Sequence, residues 1–145
     1  MKDNRFSRYA GSKLHFCNRL NAIAKELKGS TTYVEPFFGS GAIFFNLDRE
    51  FDRYVLNDTN RHVVNAVASF KHGTYEQYRR QIDYVAERFG DIMKEKESYY
   101  KFRDWFNVEY FGKGKDVQAE GFYFHFLMNS CINSLVRIGP NGFNQ

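Results

Sequence analysis

Two carboxylates and two glycines at close spacing are the residues of this sequence best suited to chemistry. Glu35 ends a short apolar run, Gly39 and Gly41 follow it, and Asp58 ends a second such run 19 residues after Gly39. Glycines at a turn between a strand and a helix let a ligand approach the backbone closely. The N–H groups and the positive dipole at the start of the helix then face the bound group. The pattern predicts a site for an adenosine cofactor.

The charges and the glycine spacing indicate which cofactor. A dinucleotide fingerprint has a third glycine that lets the helix pack closely, but Phe44 stands at that position. Glu35 lies four residues before Gly39, where it would repel a pyrophosphate and tolerate a cation. S-adenosylmethionine has a positive sulfonium and amino group, and Asp58 is placed to accept from its ribose hydroxyls. The alternative is structural, with Glu35 a strand-end acid and Asp58 the N-cap of a helix over Thr59–Lys71.

Alternating helix and strand patterns position these residues. Apolar residues at helical spacing predict an amphipathic helix over residues 14–28, with Gly29 as its stop. Aromatic and β-branched runs predict buried parallel strands at Thr31–Glu35 and Arg53–Asn57, with a helix over Ser40–Leu47 between them. This alternation is typical of a doubly wound α/β sheet. Because only two strands are readable, we expect an incomplete doubly wound, Rossmann-like sheet.

The sequence from residue 60 onward is predicted to be mostly helical. Gly112–Lys115 (GKGK) is read as a flexible basic loop. Pro-Asn-Gly predicts a hairpin whose turn is Gly139–Gly142. We therefore divide the chain into residues 1–59, which carry the cofactor residues, and a helical region 60–145 that ends in the hairpin. The predicted helices of this region are Arg61–Lys71, Tyr75–Phe89, the charged stretch Ile92–Phe111, and Ala119–Asn133.

The composition is that of a basic globular protein. Its 145 residues are one domain's worth, and the net charge of +4 suits a polyanionic partner. Aromatic residues make up 19%; most of these rings are expected in the core, with some as stacking surfaces. Cys17 and Cys131 lack CxxC or metal-ligand spacing, and the histidines lack paired spacing, so we expect reduced thiols and no metal. With no apolar leader or transmembrane-length stretch, we expect a cytosolic protein without a membrane partner.

Four segments in order resemble the successive motifs of the DNA adenine N6-methyltransferases of bacteria and phages. They are RYAGSK (Arg8–Lys13), VEPFFGSG (Val34–Gly41), VLNDTN (Val55–Asn60) and MNSCINSLVRIGPNGFN (Met128–Asn144). In that family the first segment helps to hold the methionine end of S-adenosylmethionine. The resemblance implies a cofactor site made of ten residues: Tyr9, Ala10, Gly11, Lys13, Glu35, Pro36, Phe37, Gly39, Gly41 and Asp58.

One motif of the family is absent from this sequence. The family's catalytic Asp-Pro-Pro-Tyr comes after the segment that resembles Met128–Asn144, and the only prolines here are Pro36 and Pro140. Methylation of adenine N6 requires a flipped base that is stacked on an aromatic ring and held at its amino group. In the family, that motif supplies these contacts. We therefore expect a chain equivalent to the first half of such an enzyme, inactive alone and completed by a second polypeptide or a missing C-terminal half.

The resemblance also assigns residues 60–144 to the recognition of double-stranded DNA. Lys and Arg side chains neutralise phosphates, while Asn and Arg side chains read base edges. As alternatives, Asn141 is simply a turn residue and Arg137 an exposed strand charge. The expected contacts are base readers at Asn129, Asn133, Arg137 and Asn141, a wedge at Phe143 and a phosphate contact at Lys113.

Three functions stay open from the sequence. The leading one is the cofactor-binding and target-recognition portion of a site-specific DNA adenine methyltransferase. The second is a truncated, non-catalytic binding protein that acts by occupying cofactor, DNA or a partner. The third is an α/β domain for another nucleotide, which requires the RYAGSK match to be chance.

Overall fold

The computed structural model describes residues 4–131 and 135–144, and the chain divides into two units after Asn60. The helices and the small parallel sheet confirm the mixed α/β class. The elements of the first unit are a 3-10 turn Leu14–Phe16, α1 Cys17–Glu26, β1 Thr32–Glu35, a 3-10 turn Phe44–Asn46 and β2 Arg53–Leu56. Those of the second are α2 Arg61–His72, α3 Tyr75–Phe89, α4 Lys96–Glu109, α5 Val117–Ser130, β3 Ile138–Gly139 and β4 Gly142–Phe143.

The parallel sheet of the first unit pairs β1 with β2 in register from Thr32 opposite Arg53 to Glu35 opposite Leu56. Successive side chains of β1 alternate between exposed and half-buried, as the two-residue period of a strand dictates. The ring of Tyr33 packs on the half-buried face against an aromatic cluster of Phe44, Phe51 and Tyr54. The same face therefore carries Glu35, two residues further along.

The predicted helix over Ser40–Leu47 is wrong, because this segment forms turns and a short 3-10 stretch. In an α-helix the carbonyl of Ala42 would accept from the main-chain N–H of Asn46. Here that carbonyl instead accepts from the Asn46 side chain at 2.8 Å and from the Cys17 thiol at 3.3 Å. The main-chain N–H of Asn46 donates to the carbonyl of Ile43 at 3.0 Å, and this bond closes a 3-10 turn.

Helix α1 lies within the predicted range 14–28, where it begins three residues later and ends two residues earlier, and its apolar stripe is uncovered. Leu20, Ile23 and Leu27 are 39%, 47% and 54% exposed, whereas Cys17 and the polar Asn21 are buried. The Asn21 side chain donates to the carbonyl of Asn46 at 2.7 Å and accepts from the N–H of Asp48 at 3.1 Å. Hydrogen bonds to the loop before β2 therefore decide which face of α1 turns inward.

The second unit is a helical bundle with an aromatic core, as the composition predicted. Phe102, Phe106, Phe122 and Phe124 are each at most 1% exposed. Helices α2 and α5 approach closely at Gly121, where a Cβ atom would lie 2.1 Å from the Ser69 hydroxyl. A larger residue at 121 would therefore push the two helices apart.

The helix boundaries in the second unit follow local capping. The capping box of Thr74 and Gln77 fixes the start of α3 where the sequence placed it. Asp116 caps α5 by accepting from the N–H of Ala119 at 2.9 Å, so this helix begins two residues earlier than predicted. Turns occupy the segment before α4, which therefore starts four residues later than the charged stretch suggested. No helix in the described ranges is long and apolar enough to cross a membrane.

The hairpin stands where Pro-Asn-Gly predicted it. Strands β3 and β4 are antiparallel, with Ile138 opposite Phe143 and Gly139 opposite Gly142. This register leaves Pro140 and Asn141 as the two turn residues. Gly142 has a φ of +106°, which glycine adopts without the strain that a side chain would bring.

Candidate functional site

A groove in the first unit brings together the residues predicted to bind a cofactor. Its cavity volume is about 780 Å³, within the range of small-molecule sites. Gly41 is buried beside the groove rather than lining it. The other nine predicted residues line it: Tyr9, Ala10, Gly11, Lys13, Glu35, Pro36, Phe37, Gly39 and Asp58.

The two glycines of the loop are required for different reasons. Gly39 has a φ of +51° and lies in the wall of the groove. Gly41 has a φ of +67°, and a Cβ there would meet the Phe38 ring at 2.5 Å and the Phe45 ring at 2.9 Å. Because the segment after the glycines forms a 3-10 turn over Phe44–Asn46, it does not provide the α-helix N-terminus that was expected to face the ligand.

Asp58 ties the glycine loop to the end of β2. Its Oδ2 accepts from the N–H of Gly39 at 2.8 Å, and its Oδ1 accepts from the N–H of Asn60 at 2.9 Å. Helix α2 begins only at Arg61, so Asp58 is not its N-cap. Each carboxylate oxygen has a second lone pair, which gives Asp58 acceptor capacity for a ligand hydroxyl.

Glu35 is held by Tyr33, a residue that the sequence did not single out for the site. The Tyr33 hydroxyl donates to Glu35 Oε2 at 2.8 Å. Burial raises the pKa of the Glu35 carboxyl, while the bonds from Tyr33 and from the main chain of Phe44 favour its charged form. The signal in the sequence was the spacing, since residues two apart on a strand share a face.

Cys17 is buried against the segment after the glycines and does not line the groove. Burial, with a contribution from the Glu35 charge, raises the pKa of its thiol. The thiol is 1% exposed and donates to the carbonyl of Ala42. A buried, protonated thiol of this kind is chemically inert.

The RYAGSK segment borders the groove and is bonded to the glycine loop. The hydroxyls of Ser12 and Ser40 are 3.2 Å apart. Two residues before the segment, the N–H of Phe6 donates to the carbonyl of Ser40 at 2.8 Å. Burial and the charge of Asp58 raise the pKa of the Tyr9 hydroxyl, which therefore stays neutral. The Lys13 amine donates to the carbonyl of Gly11 within its own segment at 2.6 Å.

The groove continues into an apolar end formed by the stripe of the predicted amphipathic helix and by a strand that was predicted to be buried. Leu20, Ile23 and Leu27 of α1 line it, together with Val34 of β1, which is 56% exposed. Their helical and strand spacing gave no indication that the surface would be open. The polar and apolar ends together suit a ligand or partner with both kinds of surface.

The residues predicted to contact DNA have different positions in the second unit. Arg137 and Asn141 of the hairpin and Lys113 of the basic loop are exposed. Asn129 is half-buried on α5, and its amide donates to the carbonyl of His125 at 2.9 Å. Asn133 lies outside the described residues.

Phe143 has a different role from the wedge predicted for it. Its ring is 0% exposed and packs edge-on against Phe124, with centroids 5.8 Å apart. A ring without exposed surface has nothing to insert between bases. Phe143 instead anchors the hairpin to the helical core.

Comparisons with known proteins identify the family of the chain. The family model of the D12 class N6 adenine-specific DNA methyltransferases matches residues 9–145. The chain belongs to this family of adenine-specific DNA methyltransferases. The family implies the use of S-adenosylmethionine.

Individual relatives extend the match across nearly the whole chain. A DNA adenine methylase of Escherichia coli (strain K12) is 32% identical over 143 residues, which cover 98% of this chain and 46% of that protein. The type II methyltransferase M.MjaIII of Methanocaldococcus jannaschii is 29% identical over 154 residues, 94% of this chain and 49% of that protein. A viral relative is the type II methyltransferase M.CviBI of Paramecium bursaria Chlorella virus NC1A, 26% identical over 112 residues, with 77% of this chain and 38% of that protein covered. The chain thus spans about half the length of the curated relatives it matches.

Proposed function

We propose that this chain is the cofactor-binding and target-recognition portion of a site-specific DNA adenine N6-methyltransferase. In the complete enzyme, methyl would pass from S-adenosylmethionine to adenine in double-stranded DNA. The observation that carries the proposal is the groove, which gathers nine residues that three separate sequence motifs supply. A cytoplasmic location in a bacterial or phage-infected cell completes the proposal.

The groove supplies the contacts that S-adenosylmethionine requires. Glu35 offers a negative charge for the positive sulfonium and amino groups, held ready by the Tyr33 hydroxyl. Asp58 offers free acceptor capacity for ribose hydroxyls beside Gly39, where the absence of a side chain lets the ligand approach. Tyr9 and Phe37 add ring surface at the same groove, and Phe37 is 75% exposed.

The second unit supplies contacts for the DNA. Lys113 lies in an exposed basic loop, where it would neutralise a phosphate and make binding depend on salt. Arg137 and Asn141 lie on the hairpin, and their side chains match the donors and acceptors of base edges. We propose that the loop positions the DNA and that the hairpin reads it.

We further propose that a second polypeptide, or a C-terminal half, completes the sheet and carries the catalytic motif. Among residues 4–131 and 135–144, β1 pairs with β2 along one edge and with no strand along the other. An open parallel edge of this kind is poorly stable and prone to pairing. Added strands would turn the two-stranded sheet into the doubly wound, Rossmann-like sheet expected for the family, and would supply Asp-Pro-Pro-Tyr.

A second candidate is a non-catalytic binding protein derived from such an enzyme. The observation that favours it is the lack of Asp-Pro-Pro-Tyr anywhere in the 145 residues. The reading frame downstream of codon 145 separates the two candidates. A frame that encodes Asp-Pro-Pro-Tyr supports the methyltransferase, and its absence supports the binding protein.

Calorimetric titration of the chain with three ligands tests the groove assignment. We expect S-adenosylmethionine and S-adenosylhomocysteine to bind, while NAD⁺ gives no heat of binding because its pyrophosphate meets Glu35. Binding of NAD⁺ as tight as that of S-adenosylmethionine would contradict the assignment. The assignment would also be contradicted if neither S-adenosylmethionine nor S-adenosylhomocysteine bound.

A further inference from the structure

The Asn107 side chain of α4 makes two hydrogen bonds to one residue of the hairpin. Its Nδ2 donates to the carbonyl of Phe143 at 2.6 Å, and its Oδ1 accepts from the N–H of Phe143 at 2.8 Å. A carboxamide has the same donor and acceptor as a peptide group. Asn107 therefore pairs with Phe143 as a residue of a neighbouring strand would.

The register of the hairpin explains why Phe143 is available for this pairing. In an antiparallel pair, hydrogen-bonded residue pairs alternate with pairs whose main-chain groups point outward. The N–H of Asn144 donates to the carbonyl of Arg137 at 3.0 Å, so Arg137 and Asn144 form a bonded pair. The adjacent pair, Ile138 and Phe143, is of the other kind. The peptide groups of Phe143 therefore face away from β3, toward Asn107.

Gly142 leaves the space that Asn107 occupies. A Cβ at Gly142 would lie 2.4 Å from Asn107 Oδ1 and 2.8 Å from its Cγ. The Phe143 ring, fully buried against Phe124, holds the same strand from the side of α5. Strand β4 is thus fixed to α5 through a ring and to α4 through two directional bonds.

We propose that Asn107 is a positioning residue for target recognition. Its two bonds to Phe143 fix the position and orientation of the hairpin relative to α4. The inference rests on the proposed function, in which Arg137 and Asn141 of the hairpin read the DNA. An apolar ring contact tolerates sliding and rotation, whereas a pair of hydrogen bonds fixes the strand along its axis. Asn107 touches no base itself and acts through the hairpin.

The test uses the 145-residue chain with two variants and a control. Asn107→Ala removes both bonds. Asn107→Asp preserves the size of the side chain but places an oxygen against the Phe143 carbonyl. Val108→Ala is the matched control, because Val108 is the next residue of α4 and is 67% exposed.

Amide hydrogen exchange measured by NMR examines the contact without DNA. In Asn107→Ala, which loses both bonds, we expect the Phe143 amide to exchange about tenfold faster or more. Asn107→Asp keeps an acceptor for this N–H and loses only the donor to the Phe143 carbonyl, so we expect a smaller acceleration. The amides of α2 and α5 should exchange as in the wild-type chain, and Val108→Ala should change neither. Unchanged Phe143 exchange in both Asn107 variants would overturn the contact and the proposal with it.

The ability of each variant to distinguish one DNA sequence from another tests the positioning role. The probe is the duplex that the wild-type chain enriches from a randomised pool, compared with a scrambled duplex of the same composition. We expect the ratio of the two affinities to fall about tenfold in the Asn107 variants, while the salt dependence stays unchanged because no phosphate contact is lost. Faster Phe143 exchange with an unchanged ratio would overturn the positioning role alone. Failure of the wild-type chain to enrich any sequence would overturn target recognition, while the exchange data would still report on the contact.

Discussion

Replacement of Asp58 by alanine perturbs the junction between the glycine loop and the end of β2. The change removes the acceptor for the N–H groups of Gly39 and Asn60, at 2.8 and 2.9 Å, together with the lone pairs proposed for the ribose. Hydrogen bonds to a charged group contribute about 1.5–3 kcal/mol each. Water replaces part of what is lost, since Asp58 is only half-buried. We therefore expect S-adenosylmethionine binding to weaken by about 1–3 kcal/mol, roughly 5- to 150-fold in Kd.

Isothermal titration calorimetry measures this loss directly. Asp52→Ala is the control, because Asp52 precedes the same strand, carries the same charge and is exposed. We expect the control to bind with wild-type affinity. Equal affinity in Asp58→Ala and the wild-type chain would remove Asp58 from the site and refute the reasoning that joins the loop to the cofactor. Thermal unfolding of both variants separates loss of binding from loss of fold.

Three further changes address the rest of the account. Tyr33→Phe removes a donor to the charged form of Glu35, so the pKa of this carboxyl rises further. The loss of S-adenosylmethionine affinity on acidification should therefore begin at a higher pH than in the wild-type chain, and an unchanged pH dependence would contradict the pairing of Tyr33 with Glu35. Gly121→Ala places a Cβ 2.1 Å from the Ser69 hydroxyl of α2, and this clash should cost about 1–3 kcal/mol. The cost exceeds the roughly 1 kcal/mol that alanine gains in helix propensity, so thermal unfolding should show a lower free energy of unfolding than in the wild-type chain. Lys113→Ala should weaken binding to all duplexes and flatten its salt dependence, whereas Arg137→Ala should reduce the difference in affinity between enriched and scrambled duplexes. Identical behaviour of the two variants would contradict the division of roles between loop and hairpin.

The residues that meet at the groove could be grouped from the sequence because local rules fix their positions. Gly39 and Gly41 have the positive φ values that the tight turn after β1 requires. The end of each strand is set by the apolar run before it, and parallel pairing brings the two ends together. Such local determinants are visible in a single sequence.

The errors arose where side chains from distant positions compete with local preference. Cys17, 25 residues away from Ala42, takes a carbonyl that the predicted helix over Ser40–Leu47 needed. Phe143 belongs to the core because its strand packs on α5, a contact across the fold that the turn motif does not encode. Asn107 has no distinguishing neighbours in sequence, and its importance follows only from the hairpin lying beside α4.

The central claim is that the chain holds the cofactor and the target but needs further polypeptide for methyl transfer. The most direct test is transfer of a tritiated methyl group from S-adenosylmethionine to unmethylated DNA. The assay compares the chain alone with a fusion to the part of the Escherichia coli (strain K12) methylase that follows the matched region. A second fusion, with the aspartate of Asp-Pro-Pro-Tyr replaced by alanine, is the control. The account predicts no transfer by the chain alone, transfer to adenine by the first fusion and none by the second. Methyl transfer to adenine by the 145-residue chain alone would contradict it.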